Sequence, residues 1–431
     1  MARVCFLTHP AAGHIYTAVD LMKSLIIRGE QIEVYSSNSF RERILEVGAS
    51  FIPYVLDEED SDIDAYFRNL ITLHKERMNK VENRDANGLD AIFPFFDQLC
   101  KFYKSVEEKM ASDIIEKKYD YIIHDSCCPL GKWIAKKINI PAVCIMPNQV
   151  FKHDMLFDDP TLFFRVFLKK DPTGLSNEQV IKQTNRFIYI MDNFLMQRYG
   201  FDKDFSSIDT MISEEELNLV FSSQELQPYG KRYGNNYVFI GPAIQTNQKL
   251  DLEIKHPIIH IALGTINNNN DIFYNACIRL FKDYPYTIVM AVGNNTHIEN
   301  WGNIPDNFII APFFKQQRAI LEQSVLFITH GGTSMNDALY YNVPLLTVDT
   351  PNAYSDHILM CEQAQRLNVG IHINTCAITY EVLKFAVEKI FDNYLFYKNN
   401  ATKIGDTLRN AGGSAVGADR ILEYVAKYNK R

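Results

Sequence analysis

Apolar residues along this chain fall into short runs separated by amphipathic or polar stretches. Val4–Leu7, Ile32–Tyr35, Tyr121–Asp125, Ala142–Met146, Ile258–Leu263, Thr287–Val292, Phe308–Ala311, Leu326–Thr329 and Leu345–Val348 read as buried strands, since central strands of parallel sheets are apolar on both faces. Thr17–Arg28 and Leu130–Lys137 carry apolar residues at helical spacing, and Gly29 is placed to end the first of these helices. Strand, helix and strand in alternation predict parallel sheets with right-handed crossovers. The runs form two groups, which predicts an α/β protein of two Rossmann-like domains, 1–230 and 258–431, joined by a linker at 231–257. Within that linker Ala243–Pro257 is mostly polar. Residues 57–118 have a helical pattern with charged patches, and 150–212 is rich in Phe, Met and Asp without a clear period. Ser213, with Glu216 three positions on, has the form of a capping box opening a helix.

Length agrees with two cores, since 431 residues exceed what one ordinary core holds. A net charge of −8 argues against a nucleic-acid surface, which needs a basic patch. The eight cysteines include no C-x-x-C pair, and several sit in apolar runs, which predicts free buried thiols, a reducing compartment and no structural zinc. The N-terminal segment has no signal-peptide pattern and no apolar run approaches the length of a membrane span, so the expected location is cytoplasmic.

Two strand-to-helix turns carry candidate chemistry. In the second half, strand Leu326–Thr329 runs into His330, Gly331, Gly332, Thr333 and Ser334 and then an apolar-periodic helix. Free N–H groups at a helix start, glycines that let backbone approach closely and two hydroxyls suit a phosphate or diphosphate. In the first half, Gly13 and His14 follow strand Val4–Leu7, and Asp125 ends another strand of the same predicted sheet. A carboxylate on one imidazole nitrogen fixes the tautomer and stabilises the imidazolium when the other nitrogen takes a proton, so His14 and Asp125 read as a base and its support. His9 and His124 are neighbours; alternation puts His124 on the other side of its strand from Asp125, in packing. No G-x-G-x-x-G is present, which argues against a dinucleotide cofactor. Trp133 reads as core, and Phe157, Phe163, Phe164 and Phe167 as a packing face or the lining of an apolar acceptor pocket.

The order and spacing of these motifs resemble family 1 glycosyltransferases, in the branch that modifies macrolides and other natural products. The resemblance rests on Gly13-His14 with its flanking strands, Tyr121–Asp125 through Pro141, Leu219–Pro228, Phe239–Pro242 and Leu263-Gly264-Thr265, then Ala311–Gln316 and His330 through Asp356-His357. It implies the GT-B fold, with two Rossmann-like domains facing a cleft, acceptor in the N-terminal one and sugar nucleotide in the C-terminal one. It also implies inversion without a metal, with the sugar nucleotide as co-substrate, UDP-glucose by default and a dTDP-sugar as rival, and no other cofactor.

Carried over by position, His14 is the base and Asp125 its partner. Thr265, His330, Thr333 and Ser334 match the diphosphate grip, and Phe313 the ring that stacks on the base, unless it is plain core. Gln316 matches a contact to base or ribose, Asp337 the ribose acid, and Asp356 and His357 the pair that binds the donor sugar. Several positions depart from the family: Asp337 replaces Glu, Phe313 replaces Trp, Lys315 replaces Pro, His357 replaces Gln, and the spacing from His330 to Ala338 is shorter. Counting forward from Pro344, the sugar-binding pair falls at 352–354; counting back from Leu367, at Asp356-His357. The expected partners are a nucleotide sugar and a small apolar acceptor, with no nucleic acid and no membrane span, in a monomer or homodimer. A sugar-nucleotide epimerase and a non-catalytic glycosyltransferase-like partner protein are the alternatives.

Overall fold

A computed structural model of the chain describes residues 1–430 except 57–61, 83–87, 148, 153–154, 156–157, 162–163, 166–171, 204, 211, 245–249, 253, 255, 265–269, 295, 351–354 and 375–377. The chain divides into two compact units, each built on one all-parallel sheet. One unit comprises Met1–Phe221, Lys231–Ala243 and Gly412–Arg431, and the other Ser222–Gly230 and Ile244–Ala411. Neither is continuous in sequence, and the periodicity of the chain gives no sign of that exchange.

The first sheet has β1 (Arg3–Leu7), β2 (Gln31–Ser36), β3 (Ser50–Pro53), β4 (Tyr121–Asp125), β5 (Ala142–Met146), β6 (Leu217–Val220) and β7 (Tyr237–Phe239) in the order β3-β2-β1-β4-β5-β6-β7. Strand order reverses between β1 and β4, which pair with Leu7 opposite His124. The second sheet has β8 (Ile258–Ala262), β9 (Thr287–Ala291), β10 (Phe308–Ala311), β11 (Ser324–Thr329), β12 (Leu345–Val348) and β13 (Gly370–Ile373) in the order β10-β9-β8-β11-β12-β13. Its reversal lies between β8 and β11, with Ala262 opposite Thr329. In open parallel sheets the crevice at such a reversal, outside the carboxyl ends of the strands, is where ligands bind.

β1, β4, β5, β6, β8, β11 and β12 are almost wholly buried, and helices cover both faces of each sheet. Helix Ala12–Ile27 buries Ile15, Ala18, Val19, Met22 and Leu25 on the first sheet, and helix Gly413–Tyr428 packs against it through Ala418, Ile421 and Val425. The Arg28–Asp419 ion pair ties the two helices at the rim.

The helix predicted from Thr17 begins earlier, at Ala12, so Gly13 and His14 lie in its first turn. Ala11, its N-cap, makes no side-chain capping bond, so the usual marker of a helix start is absent. No helix opens at Ser213, where a capping box is expected. The Asn218 side chain instead accepts from the Glu215 N–H and donates to the Glu215 carbonyl in a tight turn that leads into β6. Strand pairing with β5 and β7 outweighs the local helix signal there. A true capping box, Ser176 with Gln179, opens helix Asn177–Tyr199 inside the stretch without readable motifs. The described cysteines are all free, and Cys376 lies outside the described residues. No described helix is long and apolar enough to cross a membrane.

His260 on β8 is a buried histidine that the fold holds neutral. Its ring stacks on Phe327 with Nδ1 donating to the Val289 carbonyl at 2.9 Å, and burial pulls its pKa down to about 4. An unfolded histidine titrates near 6.5. Below that pH the unfolded chain takes up a proton that the folded chain refuses, so the stability His260 contributes is complete above pH 6.5 and is lost as pH falls to about 4. The difference amounts to about 3 kcal/mol. His260→Asn keeps a donor for the Val289 carbonyl but does not titrate. Its loss of stability between pH 7 and 4.5, measured by urea unfolding, is expected to be smaller than that of the unaltered chain by about 2–3 kcal/mol. An equal loss in both proteins would show that His260 charges freely.

Candidate active site

The two candidate clusters each stand at a strand-order reversal. At the first, β1 leads through Thr8–Ala11 into helix Ala12–Ile27, which presents His14, while β4 ends on Asp125. His14 Nδ1 and Asp125 Oδ2 are 2.8 Å apart, with both residues buried. The other carboxylate oxygen of Asp125 accepts the backbone N–H of Cys127 at 2.8 Å. That second bond stops the carboxylate from turning, so it can hold only one face of the imidazole. With Nδ1–H donated to a carboxylate, the lone pair is on Nε2, the arrangement of a general base.

The neighbours of this pair were only partly legible from sequence. His9 stands edge-on to His14 with ring centres 4.8 Å apart, and its Nδ1 bonds the Tyr103 hydroxyl at 2.9 Å. Burial, with the His14 ring beside it, lowers the His9 pKa to about 3, so His9 is neutral wherever His14 works. His124 is buried on the other side of β4, with Nε2 3.2 Å from Glu215, as alternation predicts. Gly131 is tight against it, since a Cβ there would fall 2.3 Å from the His124 Cβ.

At the second reversal, β11 ends on Thr329 and passes through His330, Gly331 and Gly332 into helix Ser334–Tyr340. His330 is buried, and its ring fills the space that side chains on two glycines would need. A Cβ on Gly264, just after β8, would lie 2.5 Å from His330 Cε1, and one on Gly332 would lie 3.2 Å from it. The His357 ring meets His330 edge-to-face at 4.3 Å. Burial, with His357 adjacent, holds the His330 pKa well below the ordinary value, so the ring is neutral, and its buried Nδ1 has no hydrogen-bond partner among the described residues. Gly331 has φ +93°, a conformation that favours glycine. Thr333 is the N-cap and Ser334 the first helical residue, and Thr333 makes no capping bond. Both hydroxyls therefore stay candidates for an anion.

Asp337, one turn into the helix, is paired with Arg318 Nε at 3.2 Å, a partner that sequence spacing did not suggest. Gln316 caps helix Gln317–Glu322 without a side-chain bond, two residues before Arg318. Phe313, after β10, is 62% exposed and is not core. Thr265 lies outside the described residues, as do 352–354. Asp356 belongs to helix Ser355–Arg366, but its side chain is outside the description. Phe157, Phe163 and Phe167 are also outside it; Phe164 is fully buried, and Trp133 is half-buried at the rim of its core against Phe201.

Residues 272–413 match the family model of the glycosyltransferase family 28 C-terminal domain. Over its full length the chain is similar to nucleotide-sugar glycosyltransferases, and it has the GT-B fold. It is 28% identical to the uncharacterized UDP-glucosyltransferase YojK of Bacillus subtilis, over 99% of this chain and 98% of that one. It is 23% identical to the oleandomycin glycosyltransferase of Streptomyces antibioticus, over 100% of this chain and 93% of the relative. Among solved structures, the glycotransferase of kitacinnamycin superposes with a TM-score of 0.74 at 19% identity, covering 98% of this glycosyltransferase and 99% of that chain.

Proposed function

We propose that this glycosyltransferase moves glucose from UDP-glucose to a hydroxyl of a small apolar natural product, with inversion and without a metal in the reaction. The name of the Bacillus relative supports the donor, and that of the Streptomyces relative the acceptor class. The single observation that carries the mechanism is the 2.8 Å contact between His14 and Asp125 at the end of β4. In this reading His14 Nε2 takes the acceptor proton as the oxygen attacks the anomeric carbon. The UDP leaving group departs on the opposite side.

In the second unit the diphosphate is assigned to the His330–Ser334 turn. There a neutral His330 offers an N–H donor without adding charge, and Gly331 and Gly332 let the backbone pack tightly against the His330 ring, His357 and Cys361. The Thr265 hydroxyl is assigned to the same phosphates. Phe313 is exposed, as a stacking platform for the base requires, with Gln316 nearby in sequence for base or ribose. Asp337, held by Arg318, is assigned to the ribose hydroxyls, and Asp356 and His357 to the sugar.

The test is release of UDP from UDP-glucose that depends on an added phenolic or macrolide acceptor, with thermal-shift comparison of UDP, dTDP and GDP. UDP is expected to give the largest rise in melting temperature. A larger rise with dTDP would move the donor to a dTDP-sugar, and conversion of UDP-glucose to another sugar nucleotide without acceptor would make the chain an epimerase. Because His9 is already neutral, His9→Phe is expected to keep the acid limb of the kcat/KM profile where it is; its disappearance would transfer the base role to His9.

A further inference from the structure

Asp349, Cys361 and His372 belong to none of the motifs read from the sequence, and the fold brings them together. Asp349 follows β12, and His372 lies on β13 opposite Thr347 of β12. Cys361 lies on helix Ser355–Arg366, whose Met360 and Ala364 pack in the same core as Leu345 of β12. His372 Nε2 is 2.8 Å from Asp349 Oδ1, and one sulfur, one nitrogen and one oxygen of the trio all lie within 4.8 Å of one another. The site is sheltered yet reachable: Cys361 is 1% exposed, and the side chains of His372 and Asp349 are 5% and 20% exposed.

A histidine–aspartate hydrogen bond beside a buried thiol can be packing alone. The donor mixture makes this trio different, since thiolate, imidazole and carboxylate together are the ligand set that zinc prefers over harder cations. With zinc bonds of about 2.0–2.3 Å, tetrahedral ligand atoms stand roughly 3.5 Å apart, so ligand atoms that lie within 4.8 Å of one another have to close by at most about 1.3 Å.

We propose that Asp349, Cys361 and His372 bind a late first-row divalent cation, zinc by preference. On binding, the Cys361 thiol gives its proton to solvent, and His372 moves its proton from Nε2 to Nδ1 so that Nε2 can ligate. Thiolate and carboxylate then cancel the two charges of the metal, and water fills the fourth position. No step of sugar transfer passes through this site. It does lie under the phosphate turn, because a Cβ on Gly331 would sit 2.7 Å from Cys361 Sγ. A metal there clamps helix Ser355–Arg366 to β12 and β13 beneath that turn.

The experiment titrates the metal-free full chain with Co²⁺, following thiolate-to-cobalt charge transfer, and with Zn²⁺ by calorimetry in buffers of different ionisation enthalpy. The unaltered chain is expected to show the band, to release one proton per metal and to melt at a higher temperature with Zn²⁺. Cys361→Ser should lose the band. His372→Ala and the partly exposed Asp349→Asn should weaken Zn²⁺ binding by about 100-fold or more, since even outer-sphere partners are worth about 10–100-fold in affinity. His14, Asp125 and Cys127 form a second trio within 4.8 Å, so Cys127→Ser is the control and should keep the band. Absence of the band in the unaltered chain, its survival in Cys361→Ser or its loss in Cys127→Ser overturns the assignment. So does unchanged affinity in Asp349→Asn.

Discussion

His14→Ala lowers turnover on an oxygen acceptor by about 10²–10⁴-fold, the usual worth of a positioned general base, and leaves UDP affinity unchanged. The second half of that expectation follows from chain organisation, because His14 belongs to one unit and the His330 turn to the other. Asp125→Asn tests the same site more sharply. Asp125 now accepts from two donors, His14 Nδ1 and the Cys127 N–H. An asparagine has one oxygen for these two places. With the oxygen kept on the Cys127 N–H, its NH₂ faces His14 and forces the tautomer that carries the proton on Nε2, where the base needs a lone pair. Turnover is then expected to fall about as far as in His14→Ala, with folding intact. Initial rates with and without acceptor, beside UDP titrations, check both variants. Near-normal rates in either one would remove the pair from the mechanism.

Gly331→Ala is expected to give the largest effect on the donor side. The residue has φ +93°, and an added Cβ would fall 2.5 Å from the His357 carbonyl oxygen and 2.7 Å from Cys361 Sγ. Backbone strain and overpacking each cost about 1–3 kcal/mol, so urea unfolding should show a loss of about 2–5 kcal/mol. The turn has to open to admit the methyl, which pulls His330 and the helix start apart, and UDP affinity is expected to fall about tenfold or more. Gly332→Ala, one residue on, is the informative contrast. Its Cβ would meet the His330 ring at 3.2 Å and His357 Nε2 at 3.9 Å, and its φ is ordinary. A stability change under about 1 kcal/mol is expected there. Equal effects of the two substitutions would contradict the geometry of this turn.

Strands were the most legible part of the chain, because central strands of a parallel sheet are buried on both faces and appear as uninterrupted apolar runs. β4, β5, β10 and β12 begin and end where those runs do. His14, Asp125 and His330 were legible for the same reason, as polar residues that follow such runs. The partners of these residues were not. Cys127 acts on Asp125 and Gly264 on His330, as Arg318 does on Asp337 and Tyr103 on His9, through neighbours in the sheet or through helix packing, which sequence spacing does not record. Local signals misled where tertiary pairing was stronger, as at Ser213, and failed where a cap used no side chain, as at Ala11. The exchange of Ser222–Gly230 and Gly412–Arg431 between units left no periodic trace at all.

That exchange sets an order of events during synthesis. The second unit has all its segments once Ala411 has been made, whereas the first still lacks Gly412–Arg431, which supplies Ala418, Ile421 and Val425 to its core. Until that segment joins, the core of the first unit lacks these three side chains, and the apolar surface they cover is open to aggregation. The same arithmetic governs chimeras. Replacing the first unit by cutting only near Ala243 separates helix Gly413–Tyr428 from helix Ala12–Ile27, against which it packs. A transplant that carries Gly412–Arg431 with it keeps that core whole.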